Sequence, residues 1–377
     1  YKRQIRILQV MGGMNRRGAE TFIMNVYRKI DRSKVQFDFL VYSNDKQDYE
    51  DEINSLGGRV IHMSCSSGFG AFRSIGMMRN VIRKYGPYKA IHAQTLMNIA
   101  FVWLAARKFP DIVRIAHSHN TRNRVVLSTV VRIYETIAKM IIRHNSQVML
   151  ACGKEAGIYL FGNRFLHNGL ILKNGIDLDI HTKINKNAIQ NIRKQLKLDC
   201  DIIIGSVARF NEVKNHRFMI EIANALKKKG VSYKMVFVGN GSGEQVVRRR
   251  VVDAGLQNEV VFAGLRSDIN DMMHTFDVFL MPSYFEGNPV TLVEAQAAGL
   301  PCVITDNITD EIDMGLGLIK KCSLTEKPEV WADLIIESSK QRCTDEIRIR
   351  QQISSCGFDA QSTANLLLSI YQKNEKK

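Results

Sequence analysis

Short runs of β-branched and aliphatic residues alternate with longer stretches of helical spacing along the whole chain. In the first half, residues 5–11 (IRILQVM) read as a buried strand closed by Gly12-Gly13, and residues 19–30 have the 3.6-residue apolar spacing of a helix. Residues 37–42, 60–63, 90–93, 112–116 and 148–151 continue the strand series, and residues 72–85, 96–108 and 125–144 read as helices between them. The second half repeats the plan, with strands over 202–208, 234–239, 260–263, 278–281 and 302–305 and helices over 217–229, 244–255 and 289–298. Alternation of this kind, run twice, predicts two parallel sheets each covered by helices on both faces. The expected fold is α/β, with two Rossmann-like doubly wound domains facing each other across a cleft.

The segment around 163–187 is polar and irregular, and Asn174-Gly175 is a turn signal, so the hinge is expected there. The domains predicted are 1–170, 171–359 and a C-terminal helix over 360–377 that crosses back to the first domain. That helix is amphipathic, with Ala364, Leu367, Leu368 and Tyr371 on one face.

Composition adds little to this picture, but the distribution of charge changes it. The net charge is +16, and residues 1–170 hold 26 Lys and Arg against 11 Asp and Glu, leaving the remainder close to neutral. A surface that basic favours anionic partners such as membrane lipid or a pyrophosphate-linked molecule, unless it is simply a solvated face. No basic–aromatic motif of a nucleic-acid reader occurs, and no nucleic-acid partner is expected. The seven cysteines are scattered without a CxxC pair, so neither a disulfide frame nor a zinc site is indicated and a cytoplasmic protein is expected. There is no run of about 18 apolar residues that predicts a transmembrane helix, and no apolar signal-peptide core opens the sequence.

The most informative stretch is residues 281–305, MPSYFEGNPVTLVEAQAAGLPCVIT. A strand ends at Pro282, a short loop holds Glu286, Gly287 and Asn288, and Pro289 is expected at the first position of a helix capped by Asn288 and stopped by Gly299. A helix N-terminus offers free backbone N–H groups and suits a phosphate or diphosphate. Glu286 and Glu294 are carboxylates able to accept from vicinal sugar hydroxyls. Upstream, Arg209 and Lys214 lie five residues apart just after a strand, where two cations can neutralise a leaving diphosphate without metal.

Taken in order, Arg209-x4-Lys214, Val238-Gly239-Asn240-Gly241, Phe262-Ala263-Gly264, Pro282-Ser283, Glu286-x7-Glu294 and Gly299-x-Pro301 resemble the retaining GT-B glycosyltransferases of the "glycosyl transferases group 1" family. The resemblance spans nearly all of the second domain. It implies that Arg209 and Lys214 hold the diphosphate of a nucleoside-diphosphate sugar, UDP- or GDP-linked. It implies further that Glu294 holds the ribose and that Glu286 contacts the donor sugar beside Gly287, Asn288 and Pro289. Gly239, Asn240, Gly241 and Gly264 would border the base. Retention of anomeric configuration, through departure and attack on one face, follows from the same resemblance. In the first domain, Gly12 and Gly13 resemble the family's glycine-rich first loop, and His117 its active-site histidine, with His119 competing for that place.

Other strings lead elsewhere. Asp177-x-Asp179 and Asp199-x-Asp201 spell DxD but sit in the hinge and just before a strand, so no metal is expected. Residues 239–244 resemble a dinucleotide fingerprint, with the third glycine one place early. Residues 125–144 are apolar with Arg132, Lys139, Arg143 and His144 interspersed and Arg122 and Arg124 just before them. Such a helix either lies in a membrane interface or packs within the first domain. The expected protein is a glycosyltransferase that moves a hexose-type sugar from a nucleotide donor to a glycan acceptor, lipid-pyrophosphate-linked, with peripheral contact at the inner membrane face. A sugar-nucleotide 2-epimerase and a non-catalytic sugar-nucleotide-binding protein are the alternatives.

Overall fold

The computed structural model describes residues 4–16, 18–64, 70–119, 128–286 and 289–373. The chain forms two compact units, Tyr1–Gly175 with Asp359–Lys377, and Ile176–Phe358. The first unit carries 30 Lys and Arg against 13 Asp and Glu, and the second 23 against 24, so the positive excess belongs to the first alone.

The first unit is built on seven parallel strands: β1 (Ile5–Met11), β2 (Val35–Val41), β3 (Arg59–His62), β4 (Ala90–Ala93), β5 (Val113–Ser118), β6 (Val148–Ala151) and β7 (Gly169–Ile171). Their order is β3-β2-β1-β4-β5-β6-β7. Alternation along β1 sorts its side chains to two cores. Leu8 and Val10 pack with the Ile99–Ala106 helix, including Trp103, on one face. Ile7 and Met11 pack with the Gly18–Lys29 and Ala360–Lys373 helices on the other. The latter helix comes from the chain's end, and its Ala364, Leu367, Ile370 and Tyr371 complete that core. At the opposite end of the sheet, buried Asp38 on β2 joins Arg6, Arg59 and the Tyr88 hydroxyl, which partner its charge inside an apolar layer.

The second unit has six parallel strands: β8 (Ile202–Val207), β9 (Tyr233–Val238), β10 (Val260–Gly264), β11 (Val278–Met281), β12 (Cys302–Thr305) and β13 (Ile319–Cys322), in the order β10-β9-β8-β11-β12-β13. The two central strands are therefore consecutive in space but not in sequence.

Several expectations need correction. β7 was not expected, and its pairing with β6 carries the first unit to Gly175 instead of residue 170. β13 was also missed, because IKKC has no apolar run. Residues 96–108 divide into a 3-10 turn, Leu96–Asn98, and the Ile99–Ala106 helix, with Leu96 at a φ of 52°. The helix expected over 125–144 is Thr129–Asn145, capped by Ser128, whose Oγ accepts from the Val131 N–H. Arg122 and Arg124 lie outside the described residues.

Leu367 is fully buried in the core of the first unit although it lies ten residues from the end of the sequence. Leu367→Ala should destabilise the protein by about 3 kcal/mol, the cost of a buried leucine cavity, read as a lowered urea midpoint with an unchanged slope.

Candidate functional site

In the second sheet the chain leaves β8 towards β9 and leaves β11 towards β12, in opposite directions. The carboxyl ends of such strands are where open parallel sheets take ligands. Arg209 and Lys214 are on the first loop and Glu286 is on the second.

Backbone and side-chain bonds bind these loops together. Asn211 Oδ1 accepts from the Lys214 N–H at 3.2 Å and caps the turn Glu212–Lys214. Asn215, left-handed at φ 54°, donates from Nδ2 to Pro282 O at 3.1 Å, and the Tyr284 N–H donates to Val213 O at 2.9 Å. Across this seam Lys214 Nζ lies 2.5 Å from Glu286 Oε1, with both side chains largely withdrawn from solvent. Arg209 is exposed and has no ion-pair or hydrogen-bond partner for its side chain among the described residues.

The glycines after β9 hold the Arg209 loop from the other side. Gly239 and Gly241 have φ of 137° and 157°, and a Cβ at either would come within 2.1 Å of Ala208 O or 2.5 Å of Phe210 O. Only glycine allows this approach. The Phe210 N–H then donates to Asn240 O at 2.9 Å, and the Gly239 N–H donates to Gly264 O at 2.9 Å. The four residues assigned to the base thus form one backbone cluster with the Arg209 loop.

Pro289 is the N-cap of the Val290–Ala297 helix, at φ −73° and ψ 103°, not its first residue. Its fixed φ suits either position, and the extended ψ moves the helix start one residue on. The capping place expected for Asn288 is therefore Pro289's; Gly287 and Asn288 themselves lie outside the described residues. Glu294, on that helix, is largely buried, and burial pushes its carboxyl up to about 7. His181 Nε2 is 4.0 Å from its Oε1. Nearby, Asp177 caps the Leu178–His181 helix by accepting from the Asp179 N–H, and Asp179 pairs with Arg350 at 2.9 Å. Both carboxylates of that DxD string thus have protein partners. Among the described residues no group of three or more His, Cys, Asp and Glu is placed to hold a metal ion.

In the first unit, Gly12 and Gly13 follow β1, and the Met14 N–H donates to Gln47 Oε1 at 2.8 Å to close their turn. His117, next to last in β5, is fully buried, edge-on to Phe22 of the Gly18–Lys29 helix with ring centres 5.4 Å apart. The His119 ring centre is 4.1 Å from it, so the two competing histidines belong to one cluster. Sequence reasoning missed the rest of that cluster. His92 on β4 places Nε2 3.3 Å from His117 Nδ1 and Nδ1 2.8 Å from the Tyr371 hydroxyl. Gln9 on β1 donates to the same hydroxyl at 3.1 Å, Gln94 donates to Gln9 Oε1 at 3.1 Å, and His119 Nε2 meets Gln94 Oε1 at 2.8 Å. Burial lowers the pKa of all three histidines, His92 to about 3 and His119 to about 4, so each ring is neutral near pH 7. The signal was present in the sequence: Gln9 and His92 are polar residues with apolar neighbours on both sides in their strands.

The chain is similar to known proteins. Residues 188–323 match the model of the family described as Glycosyl transferases group 1. The putative glycosyltransferase EpsF of Bacillus subtilis (strain 168) is 40% identical over 377 residues, covering 99% of this chain and 98% of EpsF. The capsular polysaccharide biosynthesis glycosyltransferase CapH of Staphylococcus aureus is 23% identical over 342 residues, 88% of this chain and 90% of CapH. The crystal structure of Anabaena Alr3699/HepE in complex with UDP aligns with a TM-score of 0.77 at 18% identity, covering 98% of this chain and 100% of that one. The shared fold is GT-B. With a relative this similar along its whole length, the chain belongs to the glycosyl transferases group 1 family and is a glycosyltransferase.

Proposed function

We propose that the protein is a retaining, metal-independent glycosyltransferase that moves a hexose-type sugar from a UDP- or GDP-sugar to a lipid-pyrophosphate-linked glycan in surface polysaccharide synthesis. The observation that carries the reading is the Lys214–Glu286 pair, with the exposed Arg209, which has no partner among the described residues, on the same loop as Lys214 at the carboxyl end of β8. A diphosphate arriving there competes with Glu286 for the ammonium, and Arg209 adds a second, fork-shaped donor. Both cations then stabilise charge that grows on the leaving group as the glycosidic bond breaks. Glu286, freed from Lys214, accepts from a hydroxyl of the donor sugar, and Glu294 accepts from the ribose hydroxyls. Gly12, Gly13 and His117 serve the transferred sugar or acceptor from the first unit, and Gly239, Asn240, Gly241 and Gly264 border the base. Gly287, Asn288 and Pro289 complete the turn beside the sugar. The name of CapH supports a polysaccharide product.

The deciding experiment incubates the protein with UDP- and GDP-hexoses, with and without membrane lipid extract. Acceptor-dependent release of the nucleoside diphosphate and a product with the donor's anomeric configuration are expected. Donor interconversion without acceptor would instead mark a 2-epimerase. In that assay Lys214→Ala should lower kcat at least about tenfold, equivalent to about 1.4 kcal/mol of transition-state stabilisation. Unchanged kinetics would remove Lys214 from the mechanism.

Glu294 makes a prediction of opposite signs. Its carboxyl binds a proton more tightly in the folded chain than at the ordinary 4.5, so the fold loses stability as pH rises from about 4.5 through about 7. Ribose hydroxyls bind the carboxylate, so donor affinity should rise over the upper part of that window, by up to about tenfold between pH 6 and pH 8. Glu294→Gln should therefore melt at a higher temperature at pH 8 and bind donor more weakly, with a flat pH profile in calorimetric titration.

The lipid-linked acceptor and membrane contact draw on the Thr129–Asn145 helix. Val130, Ile133, Ile137 and Met140 lie at helical spacing and are 49–76% exposed, with Arg132 and Arg143 beside them on the strongly basic unit. Such a face suits an anionic bilayer at the cytoplasmic side. The protein should co-sediment with phosphatidylglycerol vesicles and not with phosphatidylcholine vesicles. Ile133→Glu with Ile137→Glu should abolish this without changing the melting temperature.

A further inference from the structure

The buried chain that ends at His117 fixes more than its position. Gln94 donates its amide N–H to Gln9 Oε1, so the oxygen of Gln94 is turned to His119 Nε2, which must carry the proton of that ring. Gln9 donates its own amide N–H to the Tyr371 oxygen, so the Tyr371 proton is directed to His92 Nδ1 at 2.8 Å. His92, accepting at Nδ1 and neutral, has its single proton on Nε2 and gives it to His117 Nδ1. His117 is then left with its proton on Nε2, a buried atom with no hydrogen-bond partner among the described residues. Each proton is placed by the one before it, from the amide of Gln9 to the outer nitrogen of His117.

We infer that Tyr371, at the far end of the chain, acts through His92 as a positioning residue that holds His117 in the Nε2–H tautomer, so that His117 offers the reacting molecule a hydrogen-bond donor and not a base. This rests on the reading of His117 as an active-site histidine. The chemistry it selects is donation to an oxygen that gains negative charge during transfer, on the sugar or the departing phosphate. Deprotonation of the acceptor hydroxyl must then fall to another group. The chain has a single alternative polarity, in which both glutamine amides are turned, every bond reverses and His117 presents a lone pair.

The two polarities differ in a direct observable. In protein enriched with 15N-histidine, long-range 1H–15N spectra of the wild type, with His117 assigned by its loss in His117→Asn, should show the proton on Nε2. Tyr371→Phe keeps the aromatic ring against Phe37, 5.8 Å between centres, and removes only the hydroxyl. In that variant the His117 nitrogens should shift towards a mixture of tautomers. The kcat should fall about tenfold and the donor KM stay within about twofold. Combining Tyr371→Phe with His117→Asn should cost no more than His117→Asn alone. A His117 proton on Nδ1 in the wild type, or His117 nitrogens unmoved by Tyr371→Phe, would overturn the inference. The wild-type spectrum decides the matter even if the variant folds poorly. Absence of turnover in the wild type would strike the proposed function, while the same spectrum still tests the tautomer.

Discussion

A sheet whose strands all run in parallel gathers every strand's carboxyl end along one edge, and that constraint governs the rest of this molecule. Helical crossovers cover both faces, so the edge is where loops and unpaired backbone groups are concentrated. Where the order of strands reverses, as between β8 and β11, the crossovers leave in opposite directions and the two loops meet above the strand ends. The candidate site residues Arg209, Lys214 and Glu286 lie on those two loops. Glycines after β9, a left-handed Asn215 and the Tyr284–Val213 bond then stiffen the loops, so that Lys214 and Glu286, far apart in sequence, meet side by side.

The pair they form is a device for waiting. A lone ammonium withdrawn from water would lose solvation without return, and a lone carboxylate beside it would do the same. Joined, each satisfies the other, and in the proposed function a ligand carrying both phosphate oxygens and hydroxyls would exchange partners with them. Glu294 is kept differently, with only His181 Nε2 at 4.0 Å near its carboxylate among the described residues, and burial pushes its carboxyl up to about 7. At neutral pH its ionisation costs the fold stability.

Much of this was legible in the sequence. The strands were readable because parallel strands buried on both faces are runs of β-branched and aliphatic residues, and β1, β4, β6, β11 and β12 lie at the expected residues. β7 and β13 were not, since three residues in one case and a lysine pair in the other give no apolar run. Arg209, Lys214, Glu286 and Glu294 could be picked out because short local motifs hold them. The meeting of Lys214 with Glu286 through Asn215 and Tyr284, and the hold of the glycines on the Arg209 loop, are tertiary and had no local signature. The histidine cluster shows the same limit more sharply: His117 was visible at a strand end, but its connection through His92 to Tyr371 spans 279 positions.

The placement of the Ala360–Lys373 helix in the first unit has a consequence for how the protein is made. The ribosome releases the N-terminal strands first, then the 183 residues of Ile176–Phe358, and only afterwards the helix that closes the earlier core. At about 5–20 residues per second the gap lasts about 10–40 s. Throughout it the nascent unit has an uncovered apolar slot around Ile7, Phe22 and Phe37, and a histidine cluster without its terminal hydroxyl. A polypeptide cut short by premature termination or by a protease therefore lacks the piece that completes its own first unit.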